Sequence, residues 1–98
     1  MNAPEFLMTI DEARSAFSSS ALELARSLDC DNARVMRLLE GRGNGAGLGR
    51  KSRVLLSSHR RLLRALRMNG LDWLVAEEME GIRSYLNLTD YPEAAEAV

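Results

Sequence analysis

The segment over residues 50–67 constrains the fold most, because one short stretch combines a regular apolar stripe with a high density of positive charge. At about 100° per residue, Leu55, Leu62 and Leu66 fall on one side of a helix, and arginines project from the other side. This pattern predicts an amphipathic helix. Such a helix is stable mainly through packing of its apolar side, so the rest of the chain is expected to cover the leucines.

Capping residues bracket this predicted helix. Ser52 has a short polar side chain that can accept a hydrogen bond from a free backbone amide of the first turn, and it is the expected N-cap. At the other end, Asn69 and Gly70 favour the left-handed conformation at which many helices stop. The predicted bounds are therefore residues 52–69.

The segment before residue 30 also has a helical pattern. Thr9 and Glu12 have the spacing of a capping box, so a helix is predicted over residues 10–28. The three serines at 18–20 favour caps over helix interiors. They leave open an alternative in which this segment divides into two helices.

Two further patterns complete the helical prediction. Residues 33–40 form a short amphipathic segment, and residues 41–49, with glycine at every second position, predict a Gly-rich loop. Asp72 is a suitable N-cap for a last helix over residues 72–86. Since only a short turn separates 52–69 from 72–86, these two helices are predicted to form an antiparallel hairpin.

Together these segments predict an all-α, single-domain protein built as a small bundle of four or five helices. The chain has two prolines and lacks the alternating β-branched residues of a sheet. We expect residues 1–8 to be a disordered arm or leader, residues 9–88 to be the helical domain and residues 89–98 to be an acidic tail. A 98-residue domain buries a limited share of its surface, and dimerisation is a common way to bury more.

Hydropathy and cysteine usage favour a cytoplasmic protein. No apolar run exceeds four residues, and the start of the chain lacks the basic and apolar segments of a secretory signal. The single cysteine, Cys30, cannot form an intrachain disulfide, which is typical of a reducing compartment. We therefore expect no membrane-spanning segment and no membrane partner.

Charge is segregated along the chain, although the net charge is only -1. Residues 50–67 carry seven bases and no acid, whereas residues 68–98 carry seven acids and one base. Either the arginines of the predicted hairpin pair with the acidic last helix, or they form a surface for a charged partner. The arginines concerned are Arg60, Arg61, Arg64 and Arg67.

The sequence lacks the residue patterns of a catalytic, metal or cofactor site. Residues 49–52 resemble the end of a phosphate-binding loop, but Arg50 stands at the position that requires glycine. The single His59 and the single Cys30 have no nucleophile or zinc-ligand spacing, and we predict that the protein is not an enzyme and has no small-molecule substrate. His59 lies within the apolar side of its helix, where a hydrogen-bonded interior histidine is expected.

Residues 24–39, LARSLDCDNARVMRLL, resemble a helix-turn-helix DNA-binding unit, although Asp29 stands in the turn where glycine is usual. The resemblance implies an alternative function as a DNA-binding transcriptional regulator. The implied base contacts are Asn32, Arg34 and Arg37, and the implied phosphate contacts are Arg50, Lys51 and Arg53.

Trp73 favours a function in protein recognition. On the predicted last helix it lies opposite the apolar stripe, and an exposed tryptophan is a frequent anchor of a protein interface. Packing of the ring against its own chain is the alternative. We expect a small cytoplasmic regulatory protein, a homodimer, that binds another protein, with a transcription factor as one candidate target. The expected partner-binding residues are Trp73, Arg60, Arg61 and Arg64.

Overall fold

The computed structural model describes residues 9–90, and the regular structure within them is entirely helical. The four helices of this part of the chain are α1 (Ile10–Ser27), α2 (Asn32–Leu39), α3 (Arg50–Met68) and α4 (Asp72–Asp90). The predicted all-α class is therefore confirmed. The predicted arm at residues 1–8 and most of the predicted tail at 89–98 lie outside the described residues.

α1 is one continuous helix, so the alternative of two helices divided at the serines is wrong. The predicted capping box is present: Glu12 N donates to Thr9 Oγ1 at 3.1 Å, and Thr9 N donates to Glu12 Oε1 at 3.0 Å. Phe17 and Ala21 are fully buried on either side of the serines. Their shared apolar face keeps the whole segment helical.

α3 begins two residues earlier than predicted, and the assignment of Ser52 as its N-cap is wrong. Gly49 is the N-cap, in an extended conformation and without a side chain that could accept a hydrogen bond. Ser52 lies instead on the buried side of α3, where its hydroxyl donates to Ser27 O of α1 at 2.9 Å. A glycine N-cap costs only a few tenths of a kcal/mol, so the contact between helices decides where this serine lies.

The predicted stop after α3 is confirmed. Gly70 has the left-handed φ of 74°, and Leu71 N donates to Leu66 O at 2.9 Å, which is the bond of a Schellman motif. α4 continues four residues past its predicted end at Leu86. Pro92 disfavours helix at the residue before it, and α4 therefore extends as far as Asp90.

The core is one cluster of buried side chains from all four helices, and α1 and α3 form the most extensive contact between helices. These helices run antiparallel, because the contacts move in opposite directions along them. Ser20 of α1 contacts His59 of α3, whereas Ser27, seven residues later in α1, contacts Ser52, seven residues earlier in α3. α4 packs against the other three helices. The antiparallel hairpin of the last two helices stays a prediction. The largest fully buried side chains are Phe17, Leu24, Leu38, Leu39, Leu63, Leu66, Leu74 and His59.

Arginine side chains hold the Gly-rich loop between α2 and α3. Arg34 of α2 donates to Ala46 O, and Arg60 of α3 donates to Gly43 O at 2.7 Å. Backbone carbonyl groups of the loop accept these bonds, and within the loop Ala46 N donates to Asn44 Oδ1 at 3.0 Å. The loop thus lies against α3, and the two together line a groove.

Candidate functional site

The candidate site is a positively charged surface on α3, which we call the arginine face. It consists of Arg53, Arg60, Arg61, Arg64 and Arg67. Residues three, four or seven positions apart lie on the same side of a helix, so these guanidinium groups cluster beside the Gly-rich loop. The buried side of α3 lies next to this surface, and its residues Leu56 and Leu63 border the arginines.

An open groove runs along the arginine face between α3 and the loop. Arg60 and Arg64 line both of its two adjoining depressions, one of which measures about 420 Å³. Leu63 lines one depression and Leu56 the other, and both leucines are almost completely buried. The groove therefore has an apolar floor with cationic edges.

Two arginines of the face are held by backbone carbonyl groups. Arg60 Nη2 donates to Gly43 O at 2.7 Å, and Arg67 Nη2 donates to Glu40 O at 2.9 Å. A carbonyl group orients a guanidinium but does not cancel its charge. Arg67 also has a carboxylate neighbour, since its Nε lies 3.7 Å from Asp72 Oδ1 at the turn between α3 and α4.

The side chains of the other three arginines of the face, Arg53, Arg61 and Arg64, have no hydrogen-bond or ion-pair partner among residues 9–90. All three are exposed. The interpretation that the acidic last helix neutralises the basic helix is therefore wrong, except at Arg67. The positive charge of α3 stays at the surface.

The acids of α4 contact α1 instead. Arg14 Nη1 donates to Glu77 Oε1 at 2.7 Å and to Glu78 Oε2 at 2.8 Å. The hydrogen bond to Glu78 and, to a smaller extent, the hydrogen bond to Glu77 raise the pKa of Arg14. No local pattern in the sequence indicates this contact, because its members lie 63 and 64 positions apart.

Trp73 packs partly against its own chain and is partly open to solvent. Its exposed fraction is 49%, and Arg14 Cζ lies 5.9 Å from the ring centroid. We use the term Trp73 face for the surface formed by Trp73, Glu77 and Glu80. Among the described residues, no contact joins this tryptophan to the arginine face. The structure thus groups the predicted partner-binding arginines together and places Trp73 apart from them.

Two of the three predicted base-contacting residues are bound within the chain. Asn32 Nδ2 donates to Leu86 O of α4 at 3.2 Å, and Arg34 donates to carbonyl groups of the Gly-rich loop. Arg37 is exposed on α2. The predicted phosphate-contacting residues, Arg50, Lys51 and Arg53, are exposed at the start of α3.

His59 is fully buried between three helices, which confirms the prediction of a hydrogen-bonded interior histidine. Its Nε2 lies 2.8 Å from Leu39 O, and since a carbonyl oxygen can only accept, Nε2 carries the proton. The neutral ring then accepts at Nδ1 from Ser20 Oγ, 2.8 Å away. Burial lowers the pKa of His59, so the ring is neutral at pH 7.

Other kinds of site have little support in the described residues. Residues 9–90 contain no group of three or more His, Cys, Asp or Glu side chains placed to hold a metal ion. None of the four described helices combines the length and the apolarity needed to cross a bilayer. Burial is the main cause that raises the pKa of Cys30, so this thiol is protonated at neutral pH and is a weak nucleophile.

The arginine face is the strongest candidate for a functional surface, because several unpaired like charges there adjoin a groove. The Trp73 face is the second candidate, since a half-exposed tryptophan lies there among carboxylates. Comparisons of the chain with protein-family models, with curated proteins and with solved structures gave no match, and function is therefore inferred from these two surfaces.

Proposed function

We propose that this protein is a small regulatory binding protein that acts by contact with another protein. An acidic segment of the partner docks along the arginine face, and a transcription factor is one candidate partner. The observation that carries the proposal is the set of exposed, unpaired charges on Arg53, Arg61 and Arg64 beside the groove. Like charges held together repel one another, and an anionic partner removes this repulsion.

The spacing of the arginine face favours an acidic helix as the docked segment. Arg60, Arg64 and Arg67 follow one another at roughly one turn, or about 5.4 Å, along α3. Acids spaced three or four positions apart on a second helix have the same repeat. Leu56 and Leu63 in the groove would contact apolar side chains between those acids. We further propose that α3 and α4 form an antiparallel hairpin that keeps the arginine face at the surface.

Binding to duplex DNA is the alternative function, and one observation favours it. Arg37 is exposed on α2, the second helix of the unit that resembles a helix-turn-helix. Against this alternative, Asn32 and Arg34 are already engaged within the chain. A protein partner is therefore the function that the geometry supports best.

Fluorescence anisotropy tests the proposal with a labelled acidic peptide of about 20 residues, in which glutamates recur at helical spacing among alanines and leucines. We expect saturable binding that weakens as salt rises from about 50 to about 300 mM. Arg61→Glu/Arg64→Glu should abolish binding, because it reverses the charge beside the groove without removing an internal contact. The matched control Arg26→Glu/Arg37→Glu changes the net charge equally at exposed positions elsewhere and should bind like the wild type.

Equal affinity of the two double variants for the peptide would refute the role of the arginine face. A labelled mixed-sequence DNA duplex of about 20 base pairs is the second probe. Strong duplex binding that Arg37→Ala weakens would support the DNA-binding regulator instead. A pull-down from cell lysate with wild type and Arg61→Glu/Arg64→Glu, followed by mass spectrometry, then identifies the proteins that depend on the arginine face.

A further inference from the structure

We infer that a second copy of this chain docks its arginine face on the Trp73 face, so that the protein forms a homodimer through complementary charge. This inference rests on the proposed function of the arginine face as a docking surface, and it identifies a second copy of the chain as one molecule that binds there. It also gives Trp73 a defined role, as the aromatic centre of the surface that receives the arginines.

The Trp73 face offers two exposed carboxylates to the arginine face, and each of them also has an arginine neighbour in its own chain. The side chains of Glu77 and Glu80 are 59% and 77% exposed. Together with Ser84, these glutamates follow Trp73 on one side of α4 at spacings of three and four residues. The arginines of α3 have a similar spacing. The two helix surfaces therefore match in repeat as well as in sign.

The ring of Trp73 suits arginine in particular. One guanidinium, that of Arg14, already lies 5.9 Å from its centroid. A planar guanidinium can stack on an aromatic ring and donate hydrogen bonds to carboxylates at the same time. The open part of the ring, with Glu77 and Glu80 on the same side of α4, offers this combination to an arginine of a second copy.

The two faces do not pair with each other within one chain. Glu77 is bound to Arg14 of α1, and Glu80 has Arg83 of its own helix at 3.9 Å. Over residues 9–90, no ion pair links the arginine face to Glu77 or Glu80. Each copy offers both faces, so two such contacts related by two-fold symmetry can close a dimer.

Trp73 provides the first test, because it is the only tryptophan of the chain and its fluorescence reports directly on the Trp73 face. Between about 5 and 500 µM protein at low salt, we expect its emission to shift to the blue and the sedimenting mass to rise from monomer to dimer. Salt at about 500 mM should reverse both changes. A monomer with unshifted emission across this range would overturn the inference.

Charge reversal tests whether the two faces contact each other. Arg61→Glu/Arg64→Glu and Glu80→Lys/Ser84→Lys should each stay monomeric, because like charges then meet at the interface. An equimolar mixture of the two variants should associate about ten-fold or more tightly than either alone, since the reversed faces are again complementary. A mixture that stays monomeric would contradict the proposed contact.

Matched controls separate this contact from an effect of net charge. Arg26→Glu/Arg37→Glu and Ser15→Lys/Glu23→Lys make the same charge changes at exposed positions outside both faces. Both should dimerise like the wild type, and loss of dimerisation in them would overturn the inference. The acidic-peptide assay at monomer concentration is independent of this result. Peptide binding without dimerisation refutes the dimer alone, and dimerisation without peptide binding refutes only the proposed function.

Discussion

Replacing His59 by leucine should destabilise the fold by about 2 kcal/mol. The substitution leaves Leu39 O buried without a donor, which costs about 1–3 kcal/mol, and removes the bond to Ser20, worth about 1 kcal/mol. Leucine has a similar volume and is more apolar, so its burial returns about 1 kcal/mol. For a domain whose total stability is of the order of 5–15 kcal/mol, the net loss is large.

Urea denaturation followed by circular dichroism measures this loss. We expect a lower midpoint at an unchanged slope, and a thermal midpoint lower by about 10 °C for a domain of this size. Ser20→Ala and the double variant complete a thermodynamic cycle, whose coupling energy should be about 1 kcal/mol. Ser58→Ala is the matched control, because this exposed serine adjacent to His59 should change stability by less than about 0.5 kcal/mol.

A His59→Leu protein as stable as the wild type would refute this explanation. It would show that the buried hydrogen bonds of the imidazole add nothing beyond what an apolar side chain of the same size provides. A coupling energy near zero with Ser20 would refute the role assigned to the Nδ1 contact alone.

Three further predictions concern pH and backbone conformation. The pKa of His59 in the folded protein lies below its unfolded value of 6.5, so the unfolded state binds more protons as the pH falls. Stability should therefore decrease below about pH 6.5 by at most ~1.4 kcal/mol per pH unit, and urea denaturation at several pH values should show a weaker decrease in His59→Leu. Gly49→Asp should stabilise the protein by about 0.5–1 kcal/mol. The Cβ of an aspartate at this position would meet no atom within 4 Å, and its carboxylate would cap the first turn of α3. A lower melting temperature in calorimetry would contradict this. Gly41→Ala should cost about 1 kcal/mol or more, since this glycine has φ of 84° and a Cβ would lie 3.1 Å from Leu63 Cδ1. Unchanged chemical denaturation would argue against strain at this position.

The helices were predictable because their start and stop signals are local. The pair Thr9 and Glu12 satisfies two amides of the same turn, and Gly70 adopts the backbone conformation that ends α3. Neither signal depends on the rest of the fold. The periodicity of α3 predicted its amphipathic character, but the buried side is centred on His59 and Leu63, while Leu55 and Leu62 are only partly buried.

Contacts between helices were not predictable in the same way. Ser52 has the properties of an N-cap, but its hydroxyl bonds to α1 because it lies on the buried side of α3. Arg14 and Glu77 lie on different helices, and no spacing in the sequence indicates that they pair. The direction of a side chain on its own helix can be derived from spacing. The neighbouring helix that a side chain contacts depends on how the helices pack, and the spacing of residues along one helix does not determine that packing.

One part of the candidate site could likewise be predicted from spacing along a helix, and the other part depends on how the helices pack. Arg60, Arg61 and Arg64 form one surface because they share a helix, and spacing alone was sufficient to group them. Trp73 belongs to the next helix, and its separation from that surface depends on the orientation of α4. The groove beside the arginines also depends on the path of the Gly-rich loop, and its repeated glycines predict a loop without fixing that path.

The position of His59 has a consequence for how the protein opens. One ring bonds to Leu39, 20 positions away, and to Ser20, 39 positions away, and so links α1, α2 and α3. With eight residues, α2 is too short to be stable as an isolated helix. Opening of α2 breaks the bond from His59 to Leu39 O, so the amides of α2 should exchange with solvent more slowly in the wild type than in His59→Leu.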